Sequence, residues 1–312
     1  MTSAWTALPT PPSLLGESPL WHPLQQVLYW TDIPGRTLHR WDPRAHSHRQ
    51  WHLPSETGCL AAVQQGLLLA MRDGLAHFDT GSGHCEIFCP PPYDPALQRF
   101  NDGKVDAHGR WWIGTLHEPR DRPAATLYRL ETDGLHAVAG DCTVSNGLAF
   151  SPQGGTLYWA DTTTHRVFQW ALDAQGLPQG DRQLLRAWPV RAPGQPLHTY
   201  AGRPDGAAVD AEGCYWSALF EGRQLVRLSP AGELLQTLAL PVQCATMPCF
   251  GGDDLRTLYV TTARHNRPAD ELAADPMAGC VLQTRVDVPG WPVPMVSAAH
   301  WPAHVVQAHA RS

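Results

Sequence analysis

The sequence lacks the features that would place it in a membrane or on nucleic acid. No segment approaches the roughly 18 consecutive apolar residues of a membrane-spanning helix, and the first residues show no basic stretch followed by an apolar one. The net charge is −6, and Lys and Arg form no run, which argues against a surface for polyanions. We therefore predict a cytoplasmic protein that binds neither nucleic acid nor membrane.

The cysteines also lack the spacing of a metal-binding or disulfide framework. There are eight in 312 residues, and no C-x-x-C pair occurs among them. Structural zinc and a network of disulfides are therefore not indicated. We expect free and mostly buried thiols. The cysteines are residues 59, 85, 89, 142, 214, 244, 249 and 280.

Helical periodicity is almost absent, and the apolar residues come instead in short runs. Hydrophobic residues make up 43% of the chain, which is enough for a large core. The runs are bounded by turn-forming residues, with 27 Gly and 29 Pro in the whole chain. Short strands joined by tight turns give this pattern, so an all-β fold is predicted.

One strand pattern recurs six times along the chain. Its central residues lie 40, 43, 46, 57 and 44 residues apart, and propeller blades have about 40–50 residues each. Paired β-sandwiches would also give hairpins, but not at so regular a spacing. We therefore predict a single six-bladed β-propeller domain over residues 1–312. The six strands are LYWTD (28–32), LLAM (68–71), WWIGT (111–115), LYWAD (157–161), CYWSA (214–218) and LYVTT (258–262).

A second element, rich in small residues, precedes each of these strands. Such elements suit the crowded inner strands around a propeller axis, so their polar side chains are expected to converge there. Residues 4–9 are expected to close the ring by pairing with the last blade. The six elements are GESPLW (16–21), GCLAAV (58–63), FNDGKV (100–105), SNGLAF (145–150), PDGAAV (204–209) and ATMPCF (245–250).

Four of these elements carry carboxylate or amide side chains. Carboxylates that meet in one channel repel each other unless a cation lies between them, and oxygen ligands of this kind bind hard divalent cations. Each residue taken alone has a simpler interpretation. Asn or Asp before Gly is usually a turn former, and Glu17 alone would usually be a solvated carboxylate in a loop. Recurrence at one repeat position favours a metal site. The residues are Glu17, Asn101 with Asp102, Asn146 and Asp205.

Five segments together are more specific than any single motif. They are LGESPLW (15–21), RFNDGKVDAHGRWWIGTL (99–116), SNGLAFSPQGGTLYWAD (145–161), RPDGAAVDAEGCYW (203–216) and CFGGDDLRTLYVTTAR (249–264). In this order they resemble the regucalcin/gluconolactonase (senescence-marker-protein) family of sugar lactonases. The resemblance extends from about residue 14 to about residue 285.

The resemblance implies one catalytic divalent cation, held by Glu17, Asn146 and Asp205. Oxygen ligands favour Ca²⁺, Mg²⁺ or Mn²⁺ by hardness, whereas the general order of affinities favours Zn²⁺ or Fe²⁺, so the metal is predicted only as a divalent cation. For Asp102, a turn or a contact behind the ligands is favoured over direct coordination.

The resemblance also implies residues that bind the substrate. Arg99 and Asn101 are expected to hydrogen-bond the hydroxyls of a sugar lactone. In this family an acid that contacts the substrate often follows a GTM-like strand. The corresponding sequence here is GTLHEPR, in which His117 and Glu118 lie close to that position and Glu118 is the candidate. The surrounding loop, residues 117–125, is a candidate lid.

These assignments predict hydrolysis of a sugar lactone to the aldonic acid. The cation would polarise the carbonyl, and Asp205 would remove a proton from the attacking water, with a metal-bound hydroxide as the alternative nucleophile. Two other functions stay open, a phosphotriesterase-like hydrolase and a non-catalytic metal-binding propeller. The sequence identifies neither the lactone nor the oligomeric state.

Overall fold

Six four-stranded antiparallel sheets follow one another along the chain. They are seen in a computed structural model that describes residues 4–301. The innermost strand of each sheet contacts the innermost strand of the next, and the last contacts the first. The sheets therefore form a closed ring, which confirms the predicted six-bladed β-propeller.

Blades one to three use consecutive strands, the innermost given first. Blade one contains β2 (Gly16–His22), β3 (Val27–Asp32), β4 (Thr37–Asp42) and β5 (Ser47–His52). Blade two contains β6 (Thr57–Ala62), β7 (Leu67–Met71), β8 (Gly74–Phe78) and β9 (Cys85–Cys89). Blade three contains β10 (Gln98–Val105), β11 (Trp111–His117), β12 (Ala125–Glu131) and β13 (Gly134–Cys142).

Blades four and five repeat this order, whereas blade six combines both ends of the described chain. Blade four contains β14 (Ser145–Phe150), β15 (Thr156–Asp161), β16 (Arg166–Ala171) and β17 (Gln183–Ala187). Blade five contains β18 (Arg203–Val209), β19 (Tyr215–Phe220), β20 (Gln224–Leu228) and β21 (Leu234–Ala239). Blade six contains β22 (Ala245–Gly251), β23 (Thr257–Thr262), β24 (Leu282–Arg285) and β1 (Thr6–Ala7).

The N-terminal strand closes the ring. Thr6 lies opposite Gln283 in the pairing of β1 with β24, which confirms the prediction for residues 4–9. Pairing the first strand with the last joins the ring non-covalently and covers a strand edge. The ends of the predicted domain, residues 1–3 and 302–312, lie outside the described residues.

Tryptophans of the second strands pack the blades against each other. Trp112 on β11 meets Phe150 on β14 edge to face, with the ring centroids 5.7 Å apart. Trp216 on β19 meets Phe250 on β22 in the same way, also at 5.7 Å. Edge-to-face pairs of this kind stabilise a core beyond the burial of their area.

Few other elements occur in the described chain. A helix, α1 (Ala269–Ala274), lies between β23 and β24, and two 3₁₀ turns span Leu197–Thr199 and Ala298–His300. No helix within residues 4–301 is long and apolar enough to cross a membrane. All eight cysteines are free, which confirms the prediction that they form no disulfide framework.

Candidate active site

A β-bulge interrupts the pairing of each inner strand with its neighbour at the same level of the propeller. A bulge turns a side chain out of the regular alternation of a strand, and it is a common device beside active sites. Four of the six bulges carry the predicted polar residues. The Asn and Asp residues before Gly, which singly would indicate turns, and Glu17 therefore lie at bulges within strands.

Asn146 and Asp205 are joined at the axis. The Asn146 amide nitrogen donates hydrogen bonds to a carboxylate oxygen of Asp205 and, at 3.1 Å, to Thr162 Oγ1. Thr162 in turn donates to the Pro204 carbonyl oxygen at 2.8 Å, next to Asp205. Thr162, which the sequence analysis did not single out, therefore ties the two predicted ligands to one framework.

Gly147 permits the bulge that carries Asn146. Its φ is +57°, a conformation that L side chains rarely adopt. A Cβ atom there would lie 2.4 Å from the hydroxyl oxygen of Tyr215. The glycine of S-N-G is thus needed both for its backbone angle and for the close approach of the neighbouring blade.

The two carboxylates at the axis, Glu17 and Asp205, form no ion pair among the residues that the structure describes. Burial, together with the charges of Asp205 and Asp102, raises the pKa of Glu17 well above its ordinary value. Burial also raises the pKa of Asp205 to about 7, although Arg203 and the Asn146 hydrogen bond act in the opposite direction. Carboxyl groups whose charged form is this unfavourable suit a site for a divalent cation.

The protein atoms by themselves do not define a metal site. Within residues 4–301, no group of three or more His, Cys, Asp or Glu side chains has an arrangement that could hold a metal ion. The predicted set contains only two such residues, Glu17 and Asp205, and its third member is the amide of Asn146. Their chemistry fits a hard cation, and the metal remains a proposal.

Asp102 connects blades three and four. One of its carboxylate oxygens accepts a hydrogen bond from the Leu148 backbone N–H on β14, and the other accepts one from Gly103, both at 2.7 Å. Both oxygens are therefore used by the backbone. This arrangement agrees with the favoured prediction of a turn or supporting contact for Asp102.

Arg99 and Asn101 lie together on β10. Arg99 is 8% exposed, and it donates to the Asn101 side-chain oxygen at 2.8 Å and to the Phe100 carbonyl at 2.9 Å. The Asn101 amide nitrogen donates to the Ser145 carbonyl on β14 at 2.9 Å. The pair is thus held in a fixed arrangement, as a binding site for hydroxyl groups requires.

Glu118 lies close to Arg99, whereas the adjacent His117 does not. One Glu118 carboxylate oxygen lies 3.9 Å from Arg99 Nε, whereas His117 is buried and contacts Asp121 at 2.7 Å. Arg72 donates to both oxygens of Glu118, at 2.7 and 3.1 Å. Arg72 lies just after β7 in blade two, where no sequence pattern marked it.

A second acid completes this cluster of charges. Arg72 Nε donates to Glu56 at 2.9 Å, and the Arg72 guanidinium also donates to the Pro95 carbonyl at 2.8 Å. The charge of Arg72 holds the pKa of Glu118 below its ordinary value, mainly through their hydrogen bond. Glu118 is therefore an ionised acceptor at the rim of the site.

Comparison of the sequence with known proteins identifies its family. The family model of the SMP-30/Gluconolactonase/LRE-like region matches residues 15–264. The 6-deoxy-6-sulfogluconolactonase of Pseudomonas putida is 47% identical over 91% of this chain and 95% of its own length. The pentonolactonase of Haloferax volcanii is 35% identical over 80% of this chain and 81% of its own length.

A solved structure agrees with these relatives. The crystal structure of the calcium-binding protein regucalcin from Agrobacterium tumefaciens superposes with a TM-score of 0.87 and 28% identity. The match covers 95% of this chain and 98% of that one. The chain therefore belongs to the SMP-30/gluconolactonase family.

Proposed function

We propose that this protein hydrolyses a sugar lactone to the aldonic acid with one divalent cation bound by Glu17, Asn146 and Asp205. The observation that carries the proposal is the pair of poorly compensated carboxylates at the axis. Among the residues that the structure describes, no Lys, Arg or His nitrogen lies within 4.0 Å of either carboxylate. When bound, a cation at this position would supply the missing charge and, as a Lewis acid, would polarise a carbonyl oxygen.

The side chains around this position have separate tasks. The Asp205 oxygen that accepts the Asn146 hydrogen bond has a second lone pair and would also bind the cation, which leaves the other oxygen to accept a proton from the attacking water. Arg99 and Asn101 hydrogen-bond the hydroxyl groups of the sugar and hold its carbonyl in line with that water. Glu118 accepts a hydrogen bond from a further hydroxyl.

The named relatives support a lactone as the substrate. One is a sulfogluconolactonase and another is a pentonolactonase, so we propose an aldonolactone for this chain. The regucalcin structure is described as calcium-binding, which agrees with an all-oxygen ligand set. We propose a hard divalent cation, with Ca²⁺, Mg²⁺ and Mn²⁺ as the first ions to test.

An unpaired arginine favours an anionic substituent on the sugar. The Arg120 side chain makes no hydrogen bond or ion pair with any residue in 4–301. It is nevertheless close enough to Asp205 and Glu118 to act on the pKa of both carboxyls. We place a negatively charged group, remote from the lactone carbonyl, beside this guanidinium; the sulfonate of the 47% identical relative's substrate is such a group.

The test compares metals, lactones and variants in one assay. Metal-stripped protein is restored with each cation, and acid release is followed with a pH indicator on gluconolactone, 6-deoxy-6-sulfogluconolactone and pentonolactones. We expect metal-dependent turnover that Asp205→Ala abolishes. The matched control, Asp181→Ala, changes an exposed carboxylate elsewhere in the described chain and should keep full activity. Folded protein without turnover on any lactone would contradict the proposal.

Arg120→Ala addresses the anionic group separately. We expect a roughly tenfold higher KM for the sulfonated lactone and an unchanged KM for neutral gluconolactone, because only the charged substrate loses an ion pair. Equal effects on the two substrates would remove Arg120 from the binding of an anion and leave the lactonase proposal intact.

A further inference from the structure

A second cavity occupies the half of the propeller channel away from the candidate active site. Its volume is about 280 Å³. The candidate site uses the beginnings of the inner strands, whereas this cavity is lined by their ends. Each blade contributes at least one large apolar residue to the lining, among them Leu20, Leu60, Val105, Phe150, Val209 and Phe250.

A chain segment that follows β24 runs along one side of this cavity. The Trp291 N–H donates to the Val209 carbonyl in blade five at 2.9 Å, and the Val296 N–H donates to the Ala62 carbonyl in blade two at 2.8 Å. Residues 291–294 between these anchors line the cavity. We call this segment, residues 291–296, the strap.

Lys104 lines the same cavity, and it is the only lysine in the 312 residues. Its ammonium group lies 3.4 Å from the Ala207 carbonyl oxygen on β18, so the side chain reaches from blade three to blade five. Within residues 4–301, no carboxylate oxygen lies within 4.0 Å of it. An ammonium group has three donors, and this one has a single long hydrogen bond.

We propose that this cavity binds a small monocarboxylate with an apolar tail, whose carboxylate pairs with Lys104. The half-buried ammonium group forms no ion pair, although it is close enough to Asp102 to oppose the burial that raises the pKa of that carboxyl, and its unused donors favour an anion. The six apolar side chains favour a hydrocarbon body. The volume, about 280 Å³, lies just below the usual range for ligand pockets, about 300–1,000 Å³. A chain of about eight carbons fits this size.

The test measures octanoate binding by calorimetry on the full chain, with octanol as a neutral ligand of the same length. We expect octanoate to bind at least tenfold more tightly than octanol. Lys104→Met removes the charge and keeps the length of the side chain, so it should weaken octanoate at least tenfold and leave octanol unchanged. No octanoate binding to the native protein, or equal binding by Lys104→Met, would overturn the proposal.

Two further measurements separate this cavity from the active site and from misfolding. Val293→Trp on the strap leaves Lys104 in place and fills the cavity, so it should abolish binding of both ligands. Asp205→Ala in a chelating buffer should bind octanoate with native affinity. Loss of binding in Asp205→Ala would instead place the carboxylate at the active site. Because binding is measured without turnover, the result does not depend on the proposed lactonase function.

Discussion

The Asn146 side-chain amide donates a hydrogen bond to the Asp205 carboxylate across the boundary between blades four and five. The two residues are 59 positions apart in the chain. The same amide nitrogen donates to Thr162, which also bonds the backbone beside Asp205. Two proposed metal ligands are thus oriented by one hydroxyl group.

Thr162→Val keeps the shape of the side chain and removes this hydroxyl. We expect a roughly 10- to 100-fold lower metal affinity, the usual effect of losing a residue that orients metal ligands. Turnover should recover at saturating metal, because the ligands themselves are intact. Thr163→Val, at the exposed neighbouring position, is the matched control. Metal titration monitored by activity and by calorimetry decides the outcome, and an unchanged affinity in Thr162→Val would contradict the orienting role.

Arg72→Gln releases Glu118 from its two hydrogen bonds. We expect KM for the lactone to rise about tenfold with kcat nearly unchanged, because Glu118 would lose its position at the rim while the axis residues keep theirs. Steady-state kinetics on gluconolactone measures both constants. The control Arg122→Gln changes an exposed arginine in the loop that contains Glu118, and this variant should behave as the native protein. A fall in kcat alone would contradict the assignment of Arg72 to substrate binding.

Asp102→Asn tests the link between blades three and four. An amide group offers one acceptor oxygen in place of two, so the backbone N–H of either Gly103 or Leu148 loses its partner. An unsatisfied buried donor costs about 1–3 kcal/mol, and we expect the free energy of unfolding in urea to fall by that amount. Asp181→Asn, an exposed substitution, should leave it unchanged. Equal stability of the two variants would show that Asp102 does not hold the blades.

Stability should fall in mild acid because of a buried histidine. His39 stacks on Trp30 with ring centroids 4.9 Å apart and lies 3.0 Å from His48. Burial and the charge of His48 lower the pKa of His39 from 6.5 to about 4. The unfolded chain therefore binds this proton more tightly, so stability present at pH 7 is lost as the pH falls through 6.5 toward 4.

Between pH 7 and pH 5, protonation of His39 lowers the free energy of unfolding by roughly 2 kcal/mol. His39→Gln should be less stable than the native protein at pH 7 and should lose less on acidification. Urea unfolding at both pH values measures the difference, with the exposed His84→Gln as control. The same acid sensitivity in His39→Gln would assign the loss to other groups.

The repeating unit could be predicted from the sequence because each blade is built from local signals. Short strands, tight turns and near-constant spacing recur within about 40–50 residues, and antiparallel neighbours along the chain pair with each other. The tryptophans that pack the blades against each other lie in the second strands, so they recur with the same local pattern. Predicting six blades therefore required no knowledge of distant contacts.

The candidate site was predictable only in part. Glu17, Asn146 and Asp205 occupy equivalent positions of the repeat, so closure of the ring brings them to one axis. Arg72 and Thr162 could not be found in this way, because their roles depend on loops whose conformation no repeat specifies. Arg72 reaches Glu118 across 46 residues, and that contact exists only once two blades are packed side by side.

The sequence by itself therefore determined the blade, the number of blades and the ring of polar groups at the axis, because each follows from local patterns repeated along the chain. Only the tertiary structure decided which side chains pair, that Asp102 binds backbone groups of the next blade, and that Lys104 spans the channel above an apolar cavity. These features arise when the closed ring brings distant residues within a few ångströms, and short-range physical forces then act between groups that no sequence spacing connects.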